Sequence, residues 1–357
     1  MAYLKLYRSR LKHNYDYIKQ LFDERSIQWG IVTKMLCGNQ DMIQEVLNLG
    51  VHEVHDSRLS NLQIAKQLDP NVRTVYIKPP PHRIIPDIVE SCDVSLNSEY
   101  DTIRCISEEA QRQGKTHEII IMIEMGDLRE GVMGEELVAF YERVFRLPNI
   151  RVIGLGTNLN CLYGVLPSTD KLIQLSLYKQ IIEAKFNKKI PLVSAGTSVT
   201  IPLLLKKMLP KGVNHFRVGE ALYFGTDLFT GETMEGMRDD VFELFAQVIE
   251  LQEKPVVPMG EMGVNVAGEM TEVDESLYGK TSYRAIIDVG LLEVKPEALI
   301  PKHHGAVLVG ASSDMLVVDI GDNQGNVKVG DLLRFNMNYM GALSLLNSHY
   351  IDHYVED

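Results

Sequence analysis

Lys34 closes the apolar run Ile31-Val32-Thr33, where a strand would carry its amine to the edge of a core. An amine held partly out of water loses basicity and becomes a better nucleophile toward an aldehyde. The alternative is a strand-terminal lysine in solvent. Far along the chain, SAGTSVT (194–200) sets Gly196 and the hydroxyls of Thr197 and Ser198 just ahead of a helical run. Glycine lets backbone N–H groups approach a ligand, and a helix N-terminus favours anions, so the loop suits phosphate. RVGEALYFG (217–225) offers Gly219 for the same purpose. Either loop alone could be a plain helix cap. Both loops together, with Lys34, favour the phosphate reading.

The elements that must position these residues alternate. Short apolar strands are expected at 27–34, 51–56, 73–78, 93–96, 117–125, 150–158, 190–196 and 214–219. Helical spacing is expected at 9–24, and between the strands at 41–50, 57–68, 84–92, 98–114, 134–147, 169–186 and 199–209. Strict alternation implies parallel strands with helical crossovers. Eight such units fit a closed (β/α)8 barrel. A doubly wound open sheet is the structural alternative, but no GxGxxG follows the first strand. In a barrel, Lys34 falls at the C-terminal end of strand one, and the two glycine loops follow strands seven and eight. That is where barrels often hold phosphate.

After about residue 235 the helical spacing fades. FELFAQVIELQEKPVVP, YRAIIDVGLLEV, HGAVLVGAS, MLVVDIG and DLLRFNMNY read as strands separated by Gly, Pro, Asn and Asp. The expected organisation is a barrel over 1–235 and a smaller, mainly β domain over 236–357. The glycine-rich acidic stretch 260–280 reads as a loop. A net charge of −12 argues against nucleic-acid or anionic-membrane partners and would attract a cationic substrate. Cys37, Cys92, Cys105 and Cys161 form no CxxC pair, and the N-terminal segment lacks an apolar core, so a cytoplasmic protein with reduced thiols is expected.

The runs IVTKMLCGN, GLGTNLN, SAGTSVT, HFRVGEALYFG and ASSDMLVVDIG, in that order, resemble the fold-type III pyridoxal-phosphate (PLP) enzymes of the alanine racemase family. The resemblance covers nearly the whole chain and is closer to the branch of ornithine racemase and related amino-acid racemases. It implies that Lys34 carries PLP as a Schiff base and is the base on one face of the substrate. It implies that Thr197, Ser198 and the backbone at Gly219 and Glu220 hold the phosphate, that Arg217 faces the pyridine nitrogen, and that Asn158 stands beside the ring. An arginine there cannot protonate the ring as an aspartic acid can, which suits racemisation over transamination. Arg129 would meet the substrate carboxylate through its paired donors. The resemblance also implies a head-to-tail homodimer.

Two family features are missing. Gly290 is followed by Leu291 where the family carries its second-base tyrosine, so proton delivery on the other face must come from elsewhere. Asp288, Ser313 and Asp314 are candidates, with Asp314 chosen. Cys37 and Gly38 occupy the region of a phosphate-binding tyrosine, and Tyr350 is the chosen substitute, ahead of Tyr339 and Tyr354. Asp127 and Glu130, beside Arg129, could meet a distal ammonium. The β domain has no cysteine and no clear ligand cluster, so no catalytic metal is expected. The expected function is racemisation of ornithine or a similar basic amino acid. The alternatives are alanine racemisation, a non-catalytic PLP-binding protein, and a phosphometabolite enzyme without PLP.

Overall fold

The computed structural model describes residues 2–264, 268, 270 and 272–357. The chain opens with β1 (Tyr3–Tyr7) and α1 (Arg8–Asp23). Eight strands follow: β2 (Gln28–Val32), β3 (Glu53–Asp56), β4 (Arg73–Tyr76), β5 (Val94–Asn97), β6 (His117–Met122), β7 (Ile150–Gly156), β8 (Leu192–Thr197) and β9 (His215–Val218). They close into a parallel barrel in that order, with β9 pairing back onto β2. The helices after successive strands are α2 (Gln40–Asn48), α3 (Leu59–Leu68), α4 (Ile85–Ser91), α5 (Tyr100–Arg112), α6 (Leu137–Val144), α7 (Thr169–Phe186), α8 (Ile201–Leu205) and α9 (Glu220–Phe224). The expected (β/α)8 barrel is therefore present, strand for strand.

The second sheet is mainly antiparallel and takes in β1 as well. Its strands are β10 (Phe242–Pro255), β11 (Thr281–Ile287), β12 (Leu299–Pro301), β13 (Val307–Ala311), β14 (Leu316–Asp319), β15 (Leu332–Met337) and β16 (Asp352–Glu356), with helix α10 (Tyr339–Asn347) before the last strand. Part of the stretch 260–280, read as a loop, lies outside the described residues. Within the rest of it, residues Glu275–Leu277 form a short 3-10 turn.

The chain divides into two compact units, Leu11–Arg238 and Met1–Arg10 with Asp239–Asp357. The second boundary departs from the expectation of a barrel domain starting at residue 1. The cause is β1, which pairs antiparallel with β10 and parallel with β16. Leu4 and Leu6 are fully buried, while Tyr3, Lys5 and Tyr7 alternate with them. This period-two pattern is a strand signal in the sequence.

The barrel wall is built tightly beside the expected phosphate loops. An added Cβ at Gly196 would lie 2.1 Å from the Phe216 ring, so only glycine fits. Phe216 in turn packs on Phe22 of α1, with ring centroids 4.7 Å apart. The β8–β9 register shifts between Ser194 and Gly196, leaving Ala195 as a bulge. A bulge re-aims nearby side chains, and here Ser194 stands opposite His215 while Thr197 stands opposite Arg217.

Candidate active site

Lys34 begins a 3-10 turn immediately after β2. Its predecessor Thr33 is buried and fixed twice. Its N–H donates to the His55 carbonyl at 2.9 Å, and its Oγ1 donates to Asp56 Oδ2 at 2.8 Å. Asp56 also accepts from Asn61 Nδ2 at 3.1 Å and from the Arg58 N–H at 2.8 Å. Burial raises the Asp56 pKa, against these hydrogen bonds. Asp56 was not singled out from sequence, although an acid at the C-terminal end of a barrel strand is a recognisable signal. After the turn, Cys37 and Gly38 are left-handed, with φ of 51° and 81°. Bulky residues disfavour that conformation, which gives a backbone reason why no tyrosine stands there. The Lys34 side chain is solvent-exposed rather than partly desolvated as expected.

The loops after β8 and β9 are tied together by one hydroxyl. Ser198 Oγ, buried, accepts from the N–H groups of Gly219 at 3.3 Å and Ala221 at 3.1 Å. The Thr197 N–H donates to Thr200 Oγ1 at 3.4 Å, capping the turn into α8. A Cβ on Gly219 would sit 3.2 Å from Val32 Cβ, so this loop closes on the strand that delivers Lys34. Glu220 follows. Burial raises its pKa and the Lys34 charge lowers it, which places the two in electrostatic reach.

Arg217 is buried on β9. Its Nη1 donates to the Ser194 carbonyl at 2.5 Å and to Ser194 Oγ. Its Nη2 donates to the Thr157 carbonyl at 2.8 Å and to Asn158 Oδ1 at 2.7 Å. These acceptors are all neutral, and burial pulls the guanidinium pKa down to about 10. Asn158 Nδ2 donates onward to Glu130, and Glu130 pairs with Arg129. The Asn158 side chain is thus committed to Arg217 and Glu130. Thr157 Oγ1 is buried without a hydrogen-bond partner.

Asp127 does not serve a distal ammonium. It is buried and accepts from the N–H groups of Cys161 at 3.0 Å, Leu162 at 2.9 Å, Tyr163 at 3.2 Å and Val165 at 3.3 Å. Burial raises its pKa, but these four donors outweigh it and hold the carboxyl below the usual aspartate value. The clamp is therefore complete above the ordinary aspartate pKa and is lost as pH falls through the lowered one. Asp127→Ala is expected to speed hydrogen exchange at those four amides by at least about 10-fold, because a hydrogen bond to a charged acceptor contributes roughly 1.5–3 kcal/mol. Unchanged exchange rates would show that the loop holds itself.

The clamped loop presents Cys161, which sequence reading left unassigned. It is exposed and feels the charges of Arg129, Lys34, Asp127 and Glu130, although burial of the thiol is the largest effect and raises its pKa. Lys34, Arg129, Asn158, Thr197, Ser198, Arg217, Gly219 and Glu220 thus all stand at the C-terminal ends of barrel strands or in the loops that follow. Asp314 and Tyr350 belong to the other unit, and both are exposed there. Gly290 packs against the Asp314 backbone, where an added Cβ would lie 2.5 Å from the Asp314 carbonyl carbon. Asp288 Oδ1 accepts from the Gln247 N–H at 2.7 Å.

Among the described residues, one group of His, Cys, Asp or Glu side chains brings three ligand atoms within 4.8 Å of one another: Glu53, His55 and His215. It lies inside the barrel rather than in the β domain. No helix among the described residues is long and apolar enough to cross a membrane, and all four cysteines are free.

A closed parallel barrel with an amine at strand one, a buried arginine on strand eight and a hydroxyl-glycine cradle between them defines a barrel suited to a phosphorylated carbonyl compound at its mouth. The model of the alanine racemase N-terminal domain matches residues 7–227, and the chain belongs to the alanine racemase family. It is 35% identical to the ornithine racemase of Acetoanaerobium sticklandii over 345 residues, 96% of each chain. It is 29% identical to the lysine racemase of Thermotoga maritima over 343 residues, 96% of this chain and 95% of that one. Among solved structures, alanine racemase from Bartonella henselae with covalently bound pyridoxal phosphate superposes with a TM-score of 0.74 at 18% identity. That match covers 99% of each chain and shows the shared fold.

Proposed function

We propose that this chain is a PLP-dependent amino-acid racemase whose substrate is ornithine or a close basic analogue. The observation that carries the reading is the mouth itself: Lys34 just after the strand that the Gly219 loop abuts, with Arg217 buried and held by neutral acceptors. The residues fit the cofactor. An arginine with neutral partners suits an unprotonated ring nitrogen, and the orphaned Thr157 hydroxyl is a buried polar atom awaiting a partner.

PLP, when bound, supplies the electron-withdrawing group that makes the substrate Cα–H acidic. Lys34 would hold the cofactor covalently and would take or return the proton on one face of Cα. Ser198, with Thr197 and the backbone at Gly219 and Glu220, would hold the phosphate. Arg217 would meet the ring nitrogen without donating a proton to it. Asn158, locked between Arg217 and Glu130, would stand beside the ring. Arg129, steadied by Glu130, would bind the substrate carboxylate.

The second proton donor and the further phosphate contact come from the C-terminal domain of a partner copy, through Asp314 and Tyr350, in a head-to-tail dimer. Exposed apolar side chains on that domain, among them Leu292, Val307 and Val329, support such a surface. Four free thiols support a cytoplasmic location. The preference for ornithine rests on the 35% identical relative.

The test is isotope exchange at Cα. Protein, PLP and single L-amino acids are incubated in D2O. Deuterium entry with formation of the D-isomer is expected, fastest for ornithine, then lysine, and slow for alanine. No exchange with any amino acid rejects the racemase reading, and exchange with alanine alone rejects the basic substrate.

A further inference from the structure

Beneath the mouth, one side of the barrel carries buried polar side chains in continuous hydrogen-bond contact, beside an apolar cluster that includes Val75, Ile120 and Met122. Ser194 Oγ accepts from Arg217 and lies 2.6 Å from His215 Nδ1. His215 Nε2 lies 2.8 Å from Glu53 Oε1 and donates to that carboxylate, which can only accept. In that tautomer the neutral ring takes the Ser194 proton at Nδ1, while the Ser194 oxygen accepts from Arg217. His55 Nε2 reaches the same oxygen at 2.6 Å.

These contacts cross an intervening strand. β2 lies between β9 and β3, and its Gly30 pairs with Arg217. A Cβ at Gly30 would lie 2.5 Å from the His55 ring, so the missing side chain is what lets the groups meet. The far end reaches a cavity of about 460 Å³ lined by Gln28, Gly30, Glu53, Arg73 and His215.

Glu53, His55 and His215 are also the donor types of a zinc site. Yet both imidazoles already bond the carboxylate, and Arg73 Nε stands 3.4 Å from its second oxygen. With Arg217 one serine away from His215, positive charge crowds the place an ion would take. Burial holds the His55 pKa down, and its Nδ1 is buried without a partner, as an unprotonated acceptor can be at least cost. The Glu53 carboxyl is held well below its ordinary value: burial opposes ionisation, and the two imidazoles outweigh it.

We infer that Ser194, His215 and Glu53 form a positioning relay that orients the Ser194 hydroxyl and thereby fixes the Arg217 guanidinium against the cofactor ring. None of the three touches substrate. The relay links Arg217 to a carboxylate through two side chains, Ser194 and His215, on one side, while Asn158 alone links it to Glu130 on the other. It sets how firmly the ring nitrogen meets an arginine that keeps its own proton. The inference rests on the cofactor reading above, and its test separates the two.

The first arm uses cofactor-free protein and reads the Nη protons of Arg217 by NMR. These should exchange slowly with solvent in the wild type and at least about 10-fold faster in Ser194→Ala, with a smaller rise in Glu53→Gln. Ser194→Thr, which keeps the hydroxyl, should recover most of the protection. The second arm uses PLP-loaded protein. Ser194→Ala should shift the visible absorption maximum and lower kcat about 10-fold, with KM within about twofold. Unchanged Arg217 exchange in both Ser194→Ala and Glu53→Gln overturns the relay, even if melting temperatures fall. So does one equivalent of metal retained at Glu53, His55 and His215. A wild type that takes no cofactor sinks the function proposed above and leaves the first arm to decide this one.

Discussion

Lys34→Ala protein loses racemisation by at least about 1000-fold, within the range expected for a positioned general base, and its visible cofactor absorption disappears. The loss is expected to be large because, on the proposed function, one amine would serve both as the covalent anchor and as the proton carrier on one face of Cα. Neither Arg129 nor Cys161 can take both roles. Arg129 stays protonated and is held by Glu130, and burial raises the Cys161 thiol pKa. The fold should survive, because Lys34 is exposed and the turn is fixed through Thr33 and Asp56. A melting curve matching the wild type, with both activity and absorption gone, is the expected pair of results. Retained exchange at Cα in this variant would remove Lys34 from the chemistry.

Arg217→Met has the second-largest effect, and it acts on stability as well. The guanidinium reaches two carbonyls, one amide oxygen and one hydroxyl in a buried space. Methionine fills part of the volume and satisfies none of them. Leaving buried neutral acceptors unsatisfied costs about 1–3 kcal/mol, readable as a lower urea midpoint at unchanged slope. Racemisation should fall by about 100-fold or more, the scale of losing one preorganised charge-stabilising group. Arg217→Lys should rescue little, since one ammonium cannot span Thr157, Asn158 and Ser194 with its compact donors. Near-wild-type stability and rate in Arg217→Met would show that the arginine has no part in holding the ring.

The barrel was legible because every strand is short, apolar and followed by a helical period, so that each unit announces itself locally. α7 matches its expected span of 169–186 residue for residue. α8 came out shorter, at Ile201–Leu205 rather than to 209, because Lys206 and Lys207 already leave the helix and Lys207 has a positive φ of 58°. β1 was overlooked because its partners lie more than 200 residues away in sequence. Its alternation of Leu4 and Leu6 with polar-tipped neighbours was nonetheless visible.

The site was legible where a residue ends a strand or opens a glycine loop: Lys34, Ser198, Gly219. It was illegible where meaning depends on a partner. Nothing in the sequence says that Asp127 clamps residues 161–165, or that Asn158 is used up between Arg217 and Glu130. The polar interior is harder still. His55 carries no signal in the sequence, because its partner His215 is brought to it only by barrel closure and by the missing side chain at Gly30.

The most direct measurement is borohydride reduction of the PLP-loaded protein followed by peptide mapping. A single stable pyridoxyl label on the peptide that contains Lys34 is the predicted result. A label on some other lysine, or none at all on protein that has bound the cofactor, would contradict an active amine at the tip of β2.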